Sequence, residues 1–124
     1  MKKPVKISEA EWQVMNVVWG KSPIAASEIV DRLVEKNGWA LRTVRTLLDR
    51  LVKKGALRAA LEGKRYLYDP KVTLEECVHH ASRSFIERVF GGAPASALIH
   101  LTQETELTPE EIKQLKRILT QKEK

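Results

Sequence analysis

One amphipathic segment limits the possible folds more than any other part of the sequence. Between residues 41 and 54, apolar residues recur at the i, i+3, i+4 and i+7 spacing of one helical face, namely Val44, Leu47, Leu48 and Leu51. The first turns of the same segment hold the residue types that contact phosphates and base edges, namely Arg42, Thr43, Arg45 and Thr46. The segment is therefore either a core helix with a solvated basic back, on which Arg45 pairs with Asp49, or a recognition helix held by its core face.

Sequence signals for the start of a helix occur at several other places in the chain. Capping boxes begin at Ser8, Thr73 and Thr108, each followed three residues later by a glutamate. They predict helices near 9–19, 74–90 and 109–121. Apolar periodicity ended by a glycine predicts two more helices, at 26–36 and at 41–54.

Two short strand-like runs follow the third of these helices. Residues 57–61 and 65–68 flank the turn Glu62-Gly63-Lys64, and Pro70 ends the second run because it cannot donate to a sheet. Three helices followed by a hairpin predict a mainly α fold with a small β-hairpin wing, the winged helix-turn-helix. In that arrangement the third helix enters the major groove, and the wing, with Lys64 and Arg65 at its tip, lies along the DNA backbone.

Charge divides the chain into two parts. Residues 1–71 carry a net charge of +7 and residues 72–124 a net charge of −1. This asymmetry indicates a polyanion-binding domain over 1–71 joined to an assembly domain over 72–124. An alternative is that the winged helix is a protein-interaction module whose basic face binds an acidic partner.

The second part has apolar residues at spacings typical of helix pairing. Within 74–89 they follow a heptad-like pattern, and a second stripe runs through 112–119. We expect these helices to form a homodimer interface, which would present two recognition helices to a palindromic site. The alternative is that they fold back on their own N-terminal domain. The predicted dimerisation residues are Leu74, Val78, Ala81, Phe85, Val89, Ile112, Leu115, Ile118 and Leu119.

The sequence contains no recognisable catalytic set, so we expect no enzyme activity, no cofactor and no metal site. Cys77 is the only cysteine, and with His80 it provides two of the roughly four ligands that a closed metal site needs. We therefore expect Cys77 to pack along the apolar seam. The basic start of the chain lacks an apolar h-region, and no apolar run approaches the roughly 18 residues of a membrane span, so a cytoplasmic protein is expected.

Taken together, several motifs resemble the penicillinase repressor (BlaI/MecI) family. They are SEAEWQVMNVVW, EIVDRL, WALRTVRTLLDRLVKKGAL, the YLYDP end of the wing, FIERVFGG and LTPEEIKQLKRIL. The resemblance implies a dimeric transcriptional repressor of pseudo-palindromic operators of the TACA/TGTA type. It places DNA contacts on Arg42, Thr43, Arg45 and Thr46, with wing contacts at Lys64 and Arg65.

The resemblance also implies a mode of release. In antibiotic-responsive members, a membrane-bound sensor metalloprotease triggers cleavage in the dimerisation region; by register, the corresponding bond here joins His100 to Leu101. Two features depart from the family pattern. Ala40 stands where a Ser or Thr usually caps the recognition helix, and ALIHLTQ lacks the Asn-Phe bond of the resistance repressors. Copper-responsive relatives carry a C-terminal cysteine cluster, which this chain does not have.

Overall fold

The computed structural model describes residues 5–124; Met1–Pro4, on which part of the signal-peptide expectation rests, lie outside the described residues. The chain forms two compact units, one ending at Ser84 and one spanning Phe85–Lys124. The elements in chain order are α1 (Glu9–Gly20), β1 (Ile24–Ala25), α2 (Ala26–Asn37), α3 (Leu41–Lys54), β2 (Leu57–Glu62), β3 (Arg65–Pro70), α4 (Leu74–Phe90), α5 (Pro94–Glu104) and α6 (Pro109–Lys122).

The predicted helices are confirmed, each beginning at the expected residue and ending at most one residue later. Local hydrogen bonds explain these starts. At α1, the Glu11 amide donates to Ser8 Oγ over 3.2 Å and the Ser8 amide donates to Glu11 Oε1 over 2.8 Å. The same reciprocal pair joins Thr108 and Glu111 at α6. Each capping box satisfies amide groups that have no partner within the helix.

The sheet is larger than the predicted hairpin. It has three antiparallel strands in the order β1-β3-β2, because Ile24 pairs with Tyr68 and Ala25 with Leu67. Strand β1 has two residues, too few to produce a detectable alternation in the sequence. It exists only because β3 offers an edge with unpaired backbone groups, which is a property of the fold.

One apolar core holds α1, α2, α3 and the sheet together. Val14, Met15 and Val18 of α1 meet Ile29 and Leu33 of α2 and the apolar face of α3, all of them 5% exposed or less. Trp19 adds a hydrogen bond between distant parts of the chain, since its indole Nε1 donates to the Val72 carbonyl oxygen over 3.0 Å. The mainly α winged helix-turn-helix architecture is thus confirmed.

Cys77 is a packing residue, but in a different place from the predicted seam. It is 4% exposed and belongs to the core of the first unit, although its neighbour Val78 is exposed. Burial raises the pKa of the Cys77 thiol, and the negative charge of Glu76 adds to that effect. A raised pKa favours the protonated thiol, which is a weaker nucleophile and metal ligand than the thiolate.

The second unit consists of the end of α4 together with α5 and α6. Gly91 and Gly92 separate α4 from α5 with φ values of 58° and 84°, a left-handed conformation that residues with a Cβ rarely adopt. The Phe90 ring lies between the rings of Phe85, at 5.7 Å, and His100, at 6.0 Å. No helix within residues 5–124 has the length and apolar content needed to cross a membrane.

Candidate nucleic-acid interface

Helix α3 has one buried apolar face, although Leu41 and Val52 near its two ends are exposed. Val44, Leu47, Leu48 and Leu51 are buried, which confirms the predicted core face. The four predicted DNA-contacting residues of this helix are all exposed: Arg42, Thr43, Arg45 and Thr46. The two interpretations of this segment are therefore compatible, because the buried face sets the angle at which the polar face is presented.

The cations of this face are not neutralised by the protein. Within residues 5–124, neither Arg42 nor Arg45 forms an ion pair, so the i,i+4 pair between Arg45 and Asp49 is absent. A guanidinium with no carboxylate partner keeps all of its donors for a ligand. The interpretation of α3 as a salt-bridged solvated face thus loses its main support.

The start of α3 has no side-chain cap. Ala40 occupies the N-cap position with φ −71° and ψ 152°, the extended geometry in which a serine or threonine would accept from the helix. The amide groups of the first turn are left to water or to a ligand. The same feature was evident in the sequence as a departure from the family pattern.

We expect Ala40→Ser to stabilise the protein by about 0.5–2 kcal/mol, since the backbone is already in capping geometry and only the acceptor is lacking. Chemical denaturation in the absence of DNA measures this change. Ala40→Val, which supplies bulk without an acceptor, should give no such gain. An unchanged midpoint for Ala40→Ser would contradict the prediction.

The wing carries its cations at the turn. Glu62 pairs with Arg65, which leaves Gly63 and Lys64 as a two-residue loop. Gly63 has a φ of 65°, as the first central residue of a tight hairpin of this kind requires. Lys64 and Arg65 are exposed and, within residues 5–124, form no ion pair. Positive charge at the tip of a hairpin can contact the negatively charged phosphate backbone of DNA.

An ion pair with a buried carboxylate, which sequence reasoning missed, joins the far end of α3 to α1. Lys54, the last residue of the helix, pairs with Glu11 of α1, whose side chain is 1% exposed. Lys54 Nζ also donates to the Lys6 carbonyl oxygen over 2.9 Å. Burial raises the pKa of Glu11, but hydrogen bonds from Lys54 and Ser8 outweigh it, so the net pKa is lowered. Glu11 was predicted only as a capping residue.

The predicted dimerisation residues are largely uncovered in the single chain. Eight of the nine are between 38% and 57% exposed, Ala81 is half-buried, and no residue of α6 is buried. Helix α5 adds Leu98 and Ile99, each 60% exposed, which sequence reasoning did not include. Large apolar residues repeated along helices and exposed to water are typical of an interaction surface, as the predicted dimerisation requires. The available signal was the spacing of three residues between Leu98 and Leu101.

The predicted cleavage site lies on α5, and the Cys/His residues considered as metal ligands lie mainly on α4. His100 and Leu101 lie inside α5, and both are exposed. Among residues 5–124, no group of three or more His, Cys, Asp or Glu side chains is arranged to hold a metal ion. On α4, His79 is exposed and His80 is half-buried, whereas Cys77 is buried in the apolar core.

Comparison with known proteins matches nearly the whole chain to one family. The family model described as penicillinase repressor matches residues 7–121. A penicillinase repressor from Bacillus licheniformis is 36% identical over 119 residues, covering 96% of this chain and 93% of that protein. The methicillin resistance regulatory protein MecI of Staphylococcus aureus strain N315 is 32% identical over 120 residues, covering 97% and 98%.

Solved structures agree over the winged-helix part. The DNA-binding domain of the repressor BlaI is 39% identical, with a TM-score of 0.56 over 61% of this chain and 93% of that chain. Monomeric B. licheniformis BlaI in complex with the blaP half-operator matches with the same identity and coverage and a TM-score of 0.54. The chain thus belongs to the penicillinase repressor family, a family of DNA-binding transcriptional repressors and not of enzymes.

Proposed function

We propose that this protein is a homodimeric transcriptional repressor that binds a pseudo-palindromic operator in the cytoplasm. In this proposal Arg42, Thr43, Arg45 and Thr46 of α3 enter the major groove, and Lys64 and Arg65 contact the DNA backbone. The observation that carries it is the exposed Arg/Thr face of α3, whose Arg42 and Arg45 form no ion pair within residues 5–124 and which lies opposite a buried apolar face. The B. licheniformis relative bound to a half-operator supports the same use of the domain.

Homodimerisation is the second part of the proposal. A second copy of the chain would remove the exposed apolar residues of α4 and α6 from water. The DNA bound by the relative is a half-operator, which implies that its full operator has a second half-site. A symmetric dimer would match two-fold protein symmetry to a palindromic site. In this proposal residues 1–71 form the DNA-binding domain and residues 72–124 form the dimerisation domain.

Selection of bound DNA from a random pool tests the function directly. We expect the purified protein to enrich a pseudo-palindrome and to bind it at least about a thousandfold more tightly than scrambled DNA at physiological salt. Comparable affinity for both DNAs would refute sequence-specific binding. Retained binding of an acidic protein by a variant with Arg42, Arg45 and Lys64 all replaced would favour the protein-interaction module instead.

Arg45→Ala and Lys64→Ala should weaken binding in different ways. Loss of Arg45 should cost about 1–3 kcal/mol on the selected site and relax the preference at one base pair, because a bidentate base contact is lost. Loss of Lys64 should weaken all sequences alike and reduce the slope of log affinity against log salt by about one, since one phosphate contact is lost. Titrations at several salt concentrations measure both.

A matched variant controls for net charge. Lys113→Ala removes the same charge from α6, and we expect it to leave operator affinity close to that of the wild type. If Arg45→Ala weakened selected and scrambled DNA equally, Arg45 would be a phosphate contact and not a base reader.

For release from the operator, we propose proteolysis within α5 at or near the His100–Leu101 bond, triggered by a membrane-bound sensor metalloprotease or its effector. Both residues are exposed, but they are helical, and proteases bind their substrates in extended form. Local opening of α5 would therefore have to precede cleavage. The glycine pair directly before α5 provides a place where the helix can separate from α4.

A further inference from the structure

The two exposed threonines of α3 differ in hydrogen bonding. Thr46 lies one turn inside the helix, and its hydroxyl donates to the Arg42 carbonyl oxygen over 3.0 Å. Thr43 lies in the first turn, where the residue four positions earlier is Trp39, which precedes the helix. No helical carbonyl therefore lies four residues before Thr43, the Ala40 carbonyl three residues before it accepts from the Val44 amide, and within residues 5–124 the Thr43 hydroxyl has no hydrogen-bond partner.

This difference determines which group each side chain offers to a ligand. The Thr46 hydroxyl hydrogen is committed to the helix backbone, so the γ-methyl group is left as the outward part of an exposed side chain. Thr43 keeps a free O–H donor. Thr43 also stands beside Arg42 at an uncapped helix start, where partial positive charge favours an anion.

In the major groove, the C5-methyl of thymine is the group suited to apolar contact, whereas the backbone phosphates accept hydrogen bonds. We propose that Thr46 is a specificity-determining residue that reads a thymine methyl, and that Thr43 is a positioning contact whose hydroxyl donates to a phosphate. The inference rests on the proposed function of α3 as the recognition helix. It goes further by assigning opposite chemistry to two residues of the same type.

Removal of the thymine methyl tests the role of Thr46. On the operator selected from the random pool, each thymine is replaced in turn by deoxyuracil. We expect wild-type affinity to fall about fourfold at one or more thymines in each half-site, the effect of losing one methyl-sized apolar contact. Thr46→Val, which keeps a methyl and lacks the hydroxyl, should retain that discrimination. Thr46→Ser, which keeps the hydroxyl and lacks the methyl, should lose it.

The opposite substitution pattern is expected at Thr43. Thr43→Val removes the donor and should weaken binding about tenfold or more on selected, deoxyuracil-containing and scrambled DNA alike. Thr43→Ser keeps the donor and should bind like the wild type. Because the hydroxyl is neutral, the salt dependence of binding should not change in either variant, in contrast to Lys64→Ala.

The outcomes separate this inference from the proposed function. If no site is enriched from the pool, the proposed function fails and this inference fails with it. If a site is enriched but deoxyuracil has no effect on the wild type, or Thr46→Ser still discriminates thymine from deoxyuracil, the assignment of Thr46 is overturned while the repressor function stands. Normal affinity of Thr43→Val, or a loss in Thr43→Ser, overturns the assignment of Thr43. Both positions are exposed, and thermal melting verifies that each variant is folded.

Discussion

Replacement of Leu115 and Ile118 by aspartate should convert the protein from dimer to monomer and reduce operator affinity by about a hundredfold or more. Both residues lie on the exposed apolar stripe of α6, 39% and 44% exposed in the single chain. Burying two carboxylates in an apolar interface is strongly unfavourable. Once the chains separate, the second half-site no longer benefits from a high effective concentration, which typically contributes a factor of 10²–10⁴ in affinity.

Sedimentation and DNA titration measure the two consequences separately. The variant should sediment as a monomer and bind a half-operator as well as the wild-type chain does, because the substituted residues lie outside the winged helix. Thr120→Asp combined with Gln121→Asp adds the same two charges on the other side of α6 and should remain dimeric. A double variant that stays dimeric, or a monomer with full operator affinity, would show that α6 is not the interface.

Lys54→Met should lower the free energy of unfolding by about 3 kcal/mol at neutral pH, a large effect for one substitution near the surface. Methionine preserves the apolar stem of the side chain but leaves the Glu11 carboxylate, 1% exposed, without its cation. An unpaired buried charge is far less stable than a solvated one. Urea denaturation followed by circular dichroism measures the loss.

The pH dependence gives a stricter test. In the wild type the folded-state pKa of Glu11 is lowered, so its contribution is fully present above the ordinary value of 4.5 and is lost as pH falls through the folded pKa. Without Lys54 a hydrogen bond and a positive charge that lower this pKa are lost, so we expect the pKa of Glu11 to rise in the variant. The destabilised variant should then recover part of its deficit as pH falls from 7 towards 4.5. A deficit that does not depend on pH would contradict this account.

Lys21→Met provides a matched control for the removal of a lysine from an ion pair. Lys21 pairs with Glu28 at 2.9 Å, but both side chains are well exposed, and Glu28 also pairs with Arg32. Water and Arg32 can replace the lost contact, so the unfolding midpoint should stay near that of the wild type. Equal losses for Lys54→Met and Lys21→Met would show that burial of Glu11 does not matter.

Most of the architecture could be predicted because its determinants are local. The start of α1 follows from Ser8 and Glu11, three residues apart, and the end of α3 follows from Gly55, which adopts a left-handed φ of 85°. The assignment of α3 to core and ligand faces needed only the helical repeat of 3.6 residues. The wing could be recognised from two short runs around a glycine turn, because turn chemistry and strand pairing are also close in sequence.

The parts that could not be predicted depend on residues distant in the chain. Strand β1 exists through pairing with Tyr68 and Leu67, and the Glu11–Lys54 pair joins positions 43 residues apart. Cys77 fits the apolar repeat of α4 as well as it fits the core, and the packing of the first unit decides between the two. The difference between Thr43 and Thr46 required the exact start of α3 and the side-chain hydrogen bonds.

The sequence by itself determined five of the helices, the hairpin, their order, the two faces of α3 and the family, but not β1 or α5, because capping, turn formation and helical periodicity act over a few residues. Only the tertiary structure decided what each side chain has left to offer a ligand. A cation is available for a ligand when no carboxylate reaches it, and this can depend on how distant elements pack. A hydroxyl is available when no backbone carbonyl accepts from it, and in α3 this depends on the position of the residue within the helix. Within residues 5–124 Arg45 forms no ion pair although Asp49 lies one turn away, whereas Lys54 pairs with a carboxylate from another helix.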